Sequence, residues 1–116
     1  MSMSRIVHVD NSSFFRKIMK VFLTELGLES EAYDRGEDAK KAILRNKVSC
    51  VITGLELVDM SGEELIEWIN MSGISMTIIA VTGSSNDKRL KDLEALGVKA
   101  TITKGANWKE KLREYF

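Results

Sequence analysis

The sequence has no proline, a single cysteine and no net charge, and each shortage removes a class of protein. Without proline there are no proline-rich linkers. One thiol, Cys50, cannot close an internal disulfide, so the chain fits a reducing cytoplasm. Its 17 Lys and Arg balance its 17 Asp and Glu, which leaves no overall basic field to recruit nucleic acid or an anionic lipid surface. No apolar run approaches the length of a membrane span, and the opening residues MSMSRIVHVD lack the basic start and long apolar core of a signal peptide. What remains is 116 residues, 44% apolar and 29% charged, the proportions of an ordinary globule. By length this is one domain over residues 1–116. A chain of this size buries roughly two-thirds of its unfolded surface, enough for one real core.

The stretch that organises the rest is VSCVITGLELVDMSG, residues 48–62. It opens as an apolar run, Val48, Cys50, Val51 and Ile52, breaks into glycine and carboxylates, and restarts as a helix at Ser61. That is a buried parallel strand delivering its carboxyl end into a loop, the place where ligands gather in open α/β sheets. Cys50 inside the run reads as a buried small hydrophobe.

Before it, residues 6–9 form a first strand ending at Asp10 and Asn11. Ser12 or Ser13 caps a helix whose core stripe is Phe15, Ile18, Met19, Phe22 and Leu26, closed by Gly27. Residues 29–33 are short and polar, suited to a sheet edge. A second helix over 36–46 has Ala39, Ala42, Ile43 and Leu44 as its apolar side. After it, Ser61 and Glu64 make a capping box, and Leu65, Trp68 and Ile69 share a face of the third helix. Residues 76–81 are the most apolar strand, expected at the sheet centre, followed by the loop Thr82, Gly83, Ser84 and Ser85. A fourth helix over 86–96 stops at Gly97, and a fifth strand over 98–103 ends at Lys104 and Gly105. Asn107, with Glu110 three residues on, caps a last helix striped by Trp108, Leu112, Tyr115 and Phe116; Trp108, Tyr115 and Phe116 are expected in the core, the alternative being a partly exposed apolar end that marks a contact surface. The pattern is (βα)5: a three-layer, doubly wound α/β fold with right-handed crossovers.

The strand ends place Asp10, Asn11, Gly54, Glu56, Thr82, Gly83, Lys104 and Gly105 around one crevice. In order and spacing, IVHVDNSSFFRKIMKVFLTELG, DRGEDAKKAI, VITGLELVDMSGEEL, IIAVTGSS and ITKG resemble the receiver domain of bacterial response regulators, over essentially the whole chain. The resemblance implies a flavodoxin-like fold with parallel strand order 2-1-3-4-5. It also implies a two-component or phosphorelay signalling role and a protein partner in that pathway. That partner, or a second copy of the chain, is expected on the face of the fourth helix, fifth strand and fifth helix.

Only Asp10, Thr82 and Lys104 match the family's site residues. Asn11 stands where a second acid is expected, Gly54 where the phosphoacceptor aspartate is, Val58 and Gly105 where prolines are, and Thr101 where the aromatic switch partner of Thr82 is. A working pocket of this family sets three carboxylates against one ammonium and needs Mg²⁺. Here Asp10 faces Lys104 alone. Like charges 4 Å apart repel by about 4 kcal/mol at an effective dielectric near 20, so losing two carboxylates lets the pocket rest without metal. Gly54 has no oxygen nucleophile. The expectation is a degenerate pseudo-receiver: not an enzyme, with no metal and no cofactor, acting through phosphorylation-independent protein–protein recognition. Alternatives stay open. The crevice could bind a small anion or other small ligand, although no glycine-rich phosphate loop follows the first strand to hold a nucleotide. A neighbouring carboxylate, Glu56 or Asp59, could accept a phosphoryl group instead. His8 reads as a structural imidazole inside the first strand, and the RK and DKRLKD stretches as wet helix faces.

Overall fold

The computed structural model describes residues 5–83 and 86–116. Among these residues, strands and helices alternate: β1 Arg5–Val9, α1 Ser13–Glu25, β2 Glu29–Tyr33, α2 Gly36–Arg45, β3 Val48–Thr53, α3 Gly62–Ser72, β4 Thr77–Thr82, α4 Asp87–Ala95, β5 Ala100–Thr103 and α5 Trp108–Arg113. All strands run parallel in one sheet, in the order β2-β1-β3-β4-β5. This is the doubly wound arrangement that the alternating pattern predicts, in the flavodoxin-like strand order that the receiver resemblance implies. Ser84 and Ser85, expected in the loop after β4, lie outside the described residues.

Successive strand side chains point to opposite faces, and both faces are covered. Val7, Val9, Val51, Ile78 and Ala80 pack under α2, α3 and α4, against Ala39, Ile43, Leu65, Ile66, Ile69 and Leu93. Ile6, Cys50, Ile52, Ile79, Val81 and Ile102 pack under α1 and α5, against Phe15, Met19, Phe22, Leu23, Trp108 and Leu112. Each of the larger side chains contributes about 1.5–3 kcal/mol on burial.

The helix starts follow local chemistry. Phe15 N–H donates to Ser12 Oγ at 3.1 Å, Glu64 N–H to Ser61 Oγ at 3.1 Å, and Arg89 N–H to Asn86 Oδ1 at 2.8 Å. Gly27 and Gly97 end α1 and α4 with φ of 76° and 85°, a left-handed turn that costs glycine little.

Four expectations are corrected. The sheet centre is β3, not the more uniformly apolar β4, which lies between β3 and β5. Leu44 is 67% exposed, because one residue on from the buried Ile43 a helix has turned about 100°. Tyr115 and Phe116 are 39% and 43% exposed rather than core. Helix α5 stops at Arg113 after only six residues, and Asn107 makes no side-chain cap bond, so the last aromatics are not carried round onto the sheet. No helix among the described residues is long and apolar enough to cross a membrane.

Candidate functional site

The register brings the strand ends level. Val9 pairs with Thr53, Thr53 with Ala80, and Thr82 with Thr103. The residues just beyond them enclose a cavity of about 180 Å³ that Asp10, Asn11, Gly54, Glu56, Thr82 and Lys104 all line. Thr101 is not among them. It lies in a separate groove between α4 and β5, with Leu90, Val98 and Ala100.

Asp10 is the anchor and is 2% exposed. Its Oδ1 accepts the Ser12 amide at 2.9 Å. Its Oδ2 lies 2.9 Å from Lys104 Nζ, an ion pair whose angle falls short of a hydrogen bond. The same ammonium sits 4.2 Å from the centre of the Phe15 ring, a cation–π contact, while the Lys104 amide donates to the Thr82 carbonyl at 2.8 Å. Carboxylate, ring and strand end thus hold Lys104 inside the site. Arg16 donates to the Asp10 carbonyl at 2.7 Å.

Gly54 closes the floor. Its amide donates to the Val9 carbonyl at 2.8 Å. A Cβ built there would lie 3.1 Å from Asp10 Oδ2, so a carboxylate on residue 54 would press on the one already present. Mg²⁺ prefers near-octahedral oxygen ligands with carboxylates among them. Asp10 has both oxygens engaged, Gly54 has no side-chain oxygen and its carbonyl already accepts the Thr53 hydroxyl at 2.8 Å, and Glu56 turns away to Arg89. No group of three His, Cys, Asp or Glu among the described residues could hold a metal. The donor set does not fit the ion.

The neighbouring carboxylates have structural work. Asp59 lies away from the cavity and accepts the Gly36 amide at 2.7 Å and the Glu37 amide at 3.1 Å. It thereby caps α2, which has no side-chain cap of its own. Burial pulls its pKa up, but the Glu37 and Gly36 amides outweigh this and hold it below the usual carboxylate value. Glu56 accepts from Arg89 Nη1 at 2.7 Å. His8, just beneath Asp10, meets Phe15 edge-on at 5.9 Å, and neither ring nitrogen has a hydrogen-bond partner among the described residues. Burial first, with Lys104 and Arg16 adding and Asp10 opposing, lowers its pKa from 6.5 to about 4. It is a neutral core imidazole at pH 7.

Arg89 is the residue missed in the sequence, where DKRLKD reads as a wet helix face. It lines the cavity and ties α4 to the β3–α3 loop and to the first turn of α3. The signal that could have found it is topological. In this strand order the starts of α3 and α4 sit side by side at the carboxyl end, so a base in the first turn of one faces an acid in the first turn of the other.

Residues 6–115 match the response regulator receiver domain family. The chain belongs to that family. Similar solved structures include a signal receiver domain from Vibrio parahaemolyticus, 26% identical with a TM-score of 0.90, covering 97% of this chain and 86% of that one. A CheY-like receiver domain protein from Methanospirillum hungatei JF-1 is 25% identical with a TM-score of 0.88, covering 98% and 91%. The response regulator TrrA from Thermotoga maritima, solved in complex with Mg²⁺–BeF, is 27% identical with a TM-score of 0.83, covering 98% and 100%. A comparison with curated proteins returns no match. As a receiver domain, the protein is a module of two-component signalling, a class that works by interacting with protein partners.

Proposed function

We propose that this receiver is a pseudo-receiver, one domain over residues 1–116 that recognises a protein partner in its signalling pathway without being phosphorylated and without catalysing a reaction. The observation that carries the reading is Gly54: the strand end that should present a carboxylate presents hydrogen, and the remaining acid, Asp10, is closed on Lys104. A phosphoryl group has no oxygen to attach to at residue 54. Asp59 and Glu56 are weak substitutes, since each is committed to another partner. Signal relay through a Thr82–aromatic pair is also lost, because Thr101 is short and β-branched and lacks the swing of an aromatic ring. The domain then presents its partner face constantly. That face is α4–β5–α5, taken by a partner protein or a second copy.

The test is incubation with acetyl phosphate or beryllofluoride and low-millimolar Mg²⁺, followed by intact mass and amide chemical shifts. An unchanged mass and unchanged shifts at Asp10 and Lys104 are expected. A gain of one phosphoryl group, or saturable Mg²⁺ shifts centred on Asp10 and Glu56, would falsify the reading.

A further inference from the structure

We propose that Arg89 is a built-in latch that clamps α4 onto the first turn of α3 and the β3–α3 loop before it, and so holds the α4–β5 face in one arrangement. This rests on the reading of the domain as a constant interaction module and names the residue that sets its conformation.

The guanidinium makes four directed bonds. Nε donates to Glu63 Oε2 at 2.6 Å, Nη2 to Glu63 Oε1 at 2.9 Å, Nη1 to Glu56 Oε1 at 2.7 Å, and Nη2 also to the Leu55 carbonyl at 3.1 Å. These span 26 to 34 residues of sequence. Two parallel N–H···O bonds to one carboxylate are the strong, oriented form of this pairing, which a lysine cannot reproduce. Glu63 is only 20% exposed and Arg89 27%, so solvent competes weakly for this pair. Glu56, 71% exposed, is the lesser partner.

Both ends of the clamp are fixed. On α4, the Arg89 amide is itself the one received by the Asn86 cap. On the loop, Leu55 follows Gly54 directly, its carbonyl also accepts the Gly62 amide at 2.9 Å, and Asp59 pins the far side to the start of α2. Arg89 therefore ties α4 to a rigid body. The tie matters because the rest of the attachment is sparse: Leu93 is the one buried residue of α4, and the other polar tie, Asn70 Nδ2 donating to the Leu96 carbonyl at 2.8 Å, is at the far end of the helix. Leu90, next to Arg89, lines the groove with Val98 and Thr101, so movement of α4 reshapes that groove directly.

Hydrogen exchange read by NMR on the full chain, with no phosphodonor, tests the latch in Arg89→Ala, Arg89→Lys and Glu63→Gln. About tenfold faster exchange is expected for the amides of α4 and of residues 55–62 in Arg89→Ala and Glu63→Gln, with β1 and β3 unchanged. Arg89→Lys, which keeps the charge and loses the fork, should recover part of the protection. The Arg89→Ala/Glu63→Gln double variant should exchange no faster than Arg89→Ala alone. Unchanged exchange in α4, or acceleration spread evenly over the sheet, overturns the latch. Phosphorylation of the protein would sink the interaction-module reading and leave this result untouched, so the two fail separately.

Discussion

The two helices that flank β5 are attached in opposite ways. Helix α4 buries one side chain, Leu93, and is held to α3 by Arg89 on Glu63 at one end and by Asn70 on the Leu96 carbonyl at the other. Helix α5 is shorter and has no side-chain cap, yet buries Trp108 and Leu112. The Trp108 ring lies 4.9 Å from that of Phe15 and 5.3 Å from that of Phe22. One helix is docked by directed polar bonds, the other by undirected apolar area with aromatic geometry. The difference assigns them different jobs. Apolar packing is strong and undirected, whereas a guanidinium clamp is modest in strength but specifies one orientation. The helix that borders the Thr101 groove has the orienting attachment.

Four measurements break or sharpen this contrast. Trp108→Ala removes the anchor of α5 and should cost about 3–5 kcal/mol in urea unfolding. A loss under 1 kcal/mol would show that α5 is not docked by its aromatics.

Next comes pH on the α1/α5 face, where His8 lies. Unfolded, His8 binds a proton below pH 6.5; folded, it refuses one until about pH 4. The unfolded state therefore holds more protons in that window, and stability falls as pH drops from 6.5 to 4, by about 3 kcal/mol in all. His8→Leu should flatten this part of the profile. A wild-type profile flat between pH 6.5 and 4.5 would contradict it.

On the α4 side, Gly54→Asp sets a second carboxylate against Asp10, and a destabilisation of about 2 kcal/mol is expected in metal-free buffer. Adding Asn11→Asp should deepen it and restore Mg²⁺ affinity. A more stable metal-free double variant would refute the charge argument. The smallest effect is that of salt. Raising NaCl to about 1 M should weaken the α4 clamp by about 0.5 kcal/mol, seen as faster exchange in α4 and none in α5.

The contrast also explains what could be read from sequence. Short continuous apolar runs and Ser or Asn caps are local, so the (βα)5 order, the edge position of β2 and the Ser12 and Ser61 caps were legible. So was the convergence of Asp10, Gly54, Thr82 and Lys104, because it follows from strand ends in a known order. Illegible were ties made by flexible side chains across long separations: Arg89 to Glu63, and Asp59 to the α2 start 23 residues before it. Tyr115 and Phe116 misled for another reason. Hydrophobic spacing marks a stripe but not where the helix beneath it ends. Leu44 likewise sits beside a buried position and points elsewhere.

Cys50 turns these contrasts into something countable. It lies on the central strand under α1 and α5, 3% exposed, and burial pushes its thiol pKa up to about 12. A thiol reagent meets no reactive sulfur until the sheet itself opens. The rate at which the native protein is alkylated is thus a clock for whole-molecule opening, blind to the comings and goings of α4. A variant that quickens exchange in α4 while leaving the clock unchanged has loosened one helix; a variant that advances both has loosened the fold.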